Sequence, residues 1–178
     1  MPELVAPTTA VRRSFLAALA EFRAEGRLGA ADRTMLAWNA PGTDEPDEFA
    51  RYVAALRALA LPDGPRPDGW VPCTELWYVD GADWLGRIGI RHALTPALEE
   101  IGGHIGYDVR PSVRRRGHAT AMLRAGLTVA RGLGIESALL TCDRDNVASR
   151  TVIEHAGGVL EDRRGDTLRF RVPTKGST

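Results

Sequence analysis

Val109-Arg110-Pro111-Ser112-Val113-Arg114-Arg115-Arg116-Gly117-His118-Ala119-Thr120 is the stretch from which the fold can be read. A strand-like apolar run over 103–109 leads into it, and a helix-like run over 119–127 leaves it. The turn between them carries Arg110, Arg114, Arg115 and Arg116 and no acid. The first amides of a helix lack intrahelical partners, and the helix dipole adds partial positive charge there. Gly117 lets backbone approach an anion, and arginines add forked donors. Together these features form a seat for a polyphosphate.

Other phosphate loops do not fit. The Walker pattern ends in Gly-Lys-Ser/Thr, whereas the only lysine here is Lys175, near the end of the sequence. The dinucleotide pattern Gly-x-Gly-x-x-Gly is absent from this turn. What stands there is Arg-x-x-Gly-x-Ala, Arg114 to Ala119. It resembles the acyl-coenzyme A pyrophosphate loop of the GNAT family of N-acetyltransferases. The surroundings are similar too. Another strand is expected at Ile135–Asp143, after a helix closed by Gly132-Leu133-Gly134. Asn146-Val147-Ala148-Ser149 then opens a short helix ending at Gly157-Gly158, and Thr167–Val172 fits a last strand. The resemblance covers about Leu76 to Val172.

The resemblance implies an α/β GNAT fold: a mixed, mainly antiparallel central sheet flanked by helices, with splayed strands around the acyl-CoA site. It implies acetyl-CoA as donor, no metal, and direct attack by an amine in a ternary complex. Val109 would offer strand backbone to the pantetheine arm. The amides from Arg115 through Arg116, Gly117, His118 and Ala119 to Thr120 would cradle the pyrophosphate. Arg114, Arg115 or Arg116 would reach the 3′-phosphate. Asn146 would bond the pantetheine arm, with Ser149 on the same side.

One departure from the family is clear. Many members carry a tyrosine seven residues after the Asn, as acid for the leaving sulfur; this chain has Ile153 there and no tyrosine beyond Tyr107. Ser149, Cys142, His155 or a water are the substitutes, the alternative being a thiolate that leaves unaided. For the base, His104 ranks first, since its intrinsic pKa suits the task, and Glu75 second, with Asp108 and a relay through water, as in many members of the family, as further alternatives. Taken singly, the histidines and Cys142 are more often structural than catalytic, and Asn146 follows Asp143-Arg144-Asp145 as a turn or cap residue would.

Bulk numbers narrow the partners. Lys plus Arg and Asp plus Glu are each 23 in 178 residues, so no global charge steers the chain to nucleic acid or membrane. The two cysteines, Cys73 and Cys142, are too few for a disulfide framework, although one bridge remains open. No apolar run approaches the ~20 residues of a membrane span, and the first nine residues lack a signal-peptide pattern. The expected setting is cytoplasmic, with a small-molecule or peptide amine as acceptor and a homodimer possible.

The expected organisation is one domain over 1–178. Residues 1–72 form a helical acceptor-side part and 73–172 the acyl-CoA core. Leu4–Pro7 suits an edge strand, and Phe15, Leu19 and Phe22 fall on one face of a helix over 11–27. Asp44 to Asp47 opens a second helix, and the Pro- and Gly-rich run from Leu61 to Pro72 is a loop. Strands at 74–80 and 84–91 make a hairpin around Gly81, and His92–Glu100 is a loop or helical turn. The competing reading is a non-catalytic acyl-CoA sensor of the same fold.

Overall fold

The computed structural model describes residues 1–28, 41 and 44–175. Part of the expected acceptor-side region, 29–40 and 42–43, lies outside these. Strand β1 (Glu3–Val5) and a 3-10 turn precede helices α1 (Arg12–Ala24) and α2 (Pro46–Ala58). Strands β2 (Cys73–Asp80) and β3 (Asp83–Arg91) form the expected hairpin, and α3 (Pro96–Glu100) is the helical turn before β4 (Ile105–Val109). Helix α4 (His118–Gly132), β5 (Ser137–Asp143), α5 (Val147–His155), β6 (Val159–Arg164) and β7 (Thr167–Pro173) complete the order.

The strands make two antiparallel sheets, β1-β2-β3-β4 and β5-β7-β6, rather than one continuous sheet. They meet where β4 and β5 begin. His104 N donates to Leu139 O at 2.7 Å, and Leu139 N returns a bond to His104 Nδ1 at 2.9 Å. Among the described residues no ladder continues this contact along β4 and β5. The strand expected from Gly103 begins two residues later, because Gly102 and Gly103 have φ of +107° and +60°. A Cβ on Gly103 would lie 2.3 Å from Leu139 O, so only glycine admits this approach.

Strand β6 was not expected. Its residues are mostly exposed, and Glu161-Asp162-Arg163-Arg164 carries no apolar alternation. It exists because β7 pairs with it from Val159↔Arg171 to Arg164↔Thr167, around a bulge between Leu160 and Asp162.

Two cores result. An aliphatic one, including Ile88, Ile90, Met122, Leu123 and Leu140, lies under α4 and α5. An aromatic one lies under α1 and α2, where Phe15 stacks on Trp77 at 4.8 Å and meets Trp84 edge-on at 5.2 Å. Burying each such side chain contributes about 1.5–3 kcal/mol. Cys73 and Cys142 are buried and free, so no bridge joins them. Among the described residues no helix is long and apolar enough to cross a membrane.

Candidate functional site

The arginine turn folds as a 3-10 turn, Pro111–Val113, and then two left-handed residues, Arg115 at φ 62° and Gly117 at φ 81°. Gly117 is the N-cap of α4 and has no side chain to cap with, so the first amides of that helix keep their donor capacity. A Cβ on Gly117 would meet nothing within 4 Å, so its outer side is open. A non-glycine residue in the left-handed region costs energy, and such residues cluster at ligand clamps.

Acids reach this turn from α1, outside the motif. Arg110 donates through Nε to Glu21 Oε1 at 2.8 Å and through Nη1 to Ser14 Oγ at 3.0 Å. Ser112 donates its N–H and Oγ–H to the same carboxylate. Arg114 forks onto Glu25 at 2.8 and 2.9 Å and gives Nε to Val109 O. Burial works to raise the Glu21 pKa, but Arg110 and Ser112 together hold it below the usual carboxylate range. Arg110 and Arg114 therefore fasten the turn to α1. Arg115 and Arg116 are exposed, and Arg116 makes one long bond, 3.5 Å, to Ser112 O. The Glu21 and Glu25 pair, one helical turn apart, was legible as a polar face of α1. Its destination was not.

Across the gap, Asn146 caps α5, its Oδ1 accepting from Ser149 N at 3.0 Å. Its oxygen thus does the capping work that its surroundings predict, leaving Nδ2 for other partners. Ser149 Oγ lies 2.8 Å from Tyr107 Oη, joining α5 to β4. Burial pushes the Tyr107 hydroxyl up to about 12, with the Ser149 bond pulling the other way, so it keeps its proton. Sequence reasoning stopped at the absence of a tyrosine after Tyr107. It missed that Tyr107 itself reaches the Ser149 helix from the opposite strand.

The two candidate bases are engaged elsewhere. His104 Nδ1 accepts the Leu139 amide, so the neutral ring carries its proton on Nε2 and has no free lone pair. Burial, then Arg171 and Arg91, lower its pKa. Glu75 is buried on β2 and clamped by Arg87, Nε to Oε1 at 2.5 Å with a second bond from Nη2 to Oε2. Burial raises its pKa and Arg87 opposes this. Arg87 also reaches Asp108 Oδ2 at 3.3 Å, and Arg27 takes Asp108 Oδ1 at 2.8 Å. The structure thus brings Ser149 to Tyr107 and leaves His104 and Glu75 as internal fasteners.

A family model described as an acetyltransferase (GNAT) domain matches residues 13–159. Among solved structures, Mycobacterium smegmatis RimJ in complex with a CoA-disulfide matches with TM-score 0.67 at 17% identity, covering 97% of this chain and 81% of that one. A ribosomal-protein-S5-alanine acetyltransferase from Vibrio fischeri matches with TM-score 0.68 at 10% identity, covering 98% and 94%. The microcin C7 self-immunity acetyltransferase MccE, in complex with acetyl-CoA and AMP, matches with TM-score 0.65 at 11% identity, covering 97% and 92%. At these identities the likeness concerns the fold. No match was found among curated protein sequences.

Proposed function

The chain belongs to the GNAT family of acetyl-CoA-dependent acetyltransferases, and on that premise we propose that it acetylates an amine acceptor by direct attack in a ternary complex. The observation that carries this reading is the uncapped start of α4 behind Gly117, open on its outer side and preceded by left-handed Arg115. Those amides, from Arg115 to Thr120, fit a pyrophosphate as backbone donors at a helix start do. Arg115 and Arg116 reach the 3′-phosphate. Arg114, held by Glu25, supplies charge rather than a mobile contact. Val109 and Asn146 face the pantetheine arm from the two sides of the gap, and 1–72 contributes the acceptor side.

Acetyl-CoA, when bound, supplies a thioester carbonyl. The amine nitrogen bonds to that carbon, the carbon–sulfur bond breaks, and a thiolate departs. Ser149 gives the departing sulfur a proton and draws one from Tyr107, which, with a pKa raised to about 12, at once takes a proton back from water, balancing the one that the amine releases. His104 offers no free ring lone pair and Glu75 is buried with both oxygens bound by Arg87, so the amine loses its proton to water. The fold shared with an S5-alanine acetyltransferase supports a peptide or amino-acid amine as acceptor.

Calorimetric titration of acetyl-CoA tests the seat. Micromolar binding is expected in the wild type, with loss in Gly117→Val, because the β-branched residue resists φ 81° and its methyls enter the open side. Wild-type affinity in that variant would sink the assignment. The buried Ile153, standing where many members have their acid, favours a second reading as a non-catalytic acyl-CoA module. A CoA-release assay over a panel of amines separates the two.

A further inference from the structure

The face of β2–β4 turned to α1 and α2 carries the charged residues Glu75, Arg87, Arg91 and Asp108. Cys73 stands opposite Arg91, Glu75 opposite Gly89, Gly89 opposite Gly106, and Arg87 opposite Asp108. Most of these charges are matched. Glu75 holds Arg87, and Asp108 takes both Arg87 and Arg27. Arg91 is the exception. Its Nη1 donates to the carbonyls of Gly102 at 3.2 Å and Gly103 at 3.1 Å. Among the described residues no carboxylate forms an ion pair with it, and the one that acts on it at longer range, Glu75, is committed to Arg87. Arg91 is half-buried, and a guanidinium partly removed from water without a counter-ion carries a cost.

Arg91 also has somewhere to point. It lines a cavity of about 230 Å³ together with Trp70, Cys73, Thr95 and Leu98. A Cβ on Gly102 would come 3.7 Å from Arg91 Nη1, and one on Gly106 3.9 Å, so the guanidinium borders two positions that hold no side chain. Arg91 N donates to His104 O at 2.8 Å, and His104 in turn bonds Leu139, so the cavity adjoins the point where the two sheets part, on the face of β4 opposite Tyr107. One planar fork suits the two oxygens of a carboxylate. A phosphate dianion calls for further cations, and the other described lining residues supply none.

We propose that this cavity is a carboxylate subsite for the acceptor, with Arg91 as the specificity residue, so that the preferred substrate is an amino carboxylate such as an amino acid. The inference rests on the acetyltransferase reading for its place in the reaction, but the subsite is measurable without turnover.

The test compares alanine with alaninamide as acceptors, in the wild type and in Arg91→Met and Arg91→Lys, on the full chain. Wild type should prefer alanine by about tenfold or more in kcat/KM, mainly through KM, as loss of a charge-assisted pair implies. Arg91→Met should bring the ratio near one, Arg91→Lys should restore part of it, and retained acetyl-CoA affinity shows that the variants fold. Equal use of the two acceptors by wild type, or a preference that survives Arg91→Met, overturns the subsite while leaving acetyl transfer standing. If no amine is turned over, titration of N-acetylalanine and N-acetylalaninamide followed by NMR decides. Carboxylate-dependent shifts lost in Arg91→Met sustain the subsite although the transfer reading falls. Identical responses to both compounds overturn it.

Discussion

Arginine is used in opposite ways on the two sides of β4. At the arginine turn, Arg110 pairs with Glu21 in a part-buried contact, and Arg114 pairs with Glu25 at the surface, about two-fifths exposed on each side. On the sheet face turned to α1 and α2, Arg87 is 4% exposed and carries two carboxylates. Exposed pairs contribute about 0–1 kcal/mol, because water already solvates both charges. A buried clamp gains little over an apolar pair of similar shape, yet leaves an unpaired charge when one partner is removed. The Arg114–Glu25 pair can therefore be changed at small cost in stability, whereas the Arg87 clamp is fixed in all-or-none fashion.

Removing Arg87 strikes that contrast hardest. Arg87→Met should cost about 3–5 kcal/mol in urea unfolding, and adding Glu75→Leu should recover most of it. A loss below ~1 kcal/mol would show that the clamp is no more than a surface pair. His104 comes next, since it fastens the two sheets. His104→Ala should cost about 1–3 kcal/mol by stranding the Leu139 amide. Because the folded pKa of His104 is lowered, its contribution is full above the unfolded value, ~6.5, and is lost as pH falls through the folded pKa. Stability-versus-pH curves of wild type and variant should thus converge below neutrality. If their separation is unchanged at acid pH, the clip does not titrate as described. The mildest change is Glu25→Gln, with an expected loss of about 0–1 kcal/mol that vanishes in 1 M salt. A larger, salt-resistant loss would place Glu25 with the buried clamp instead.

These two regions also differ in how far the amino-acid order discloses them. The turn is local: strand, turn, glycine and helix start lie within a dozen residues, and the open donors are backbone groups. Its anchors are not local, because Glu21 and Glu25 lie 89 residues or more from the arginines they hold. The Tyr107–Ser149 contact spans 42 residues and depends on how β4 and α5 close on each other. His104 illustrates the limit in the other direction. Its residue type and place before β4 suggest a base, and only the Leu139 amide on Nδ1 shows which nitrogen is spoken for. Strand β6 escaped notice because an exposed edge strand need not alternate, and its partner β7 supplies the reason to be extended.

Gly103 governs how this molecule can diverge. Substitutions along β4 or α5 can alter the gap by single side chains, leaving its width intact. Position 103 is different, since any side chain there would collide with the Leu139 carbonyl and force the strands apart before either sheet had changed. Descendants can thus vary the lining of the gap gradually, while the gap itself admits change only through a coordinated shift of both strands.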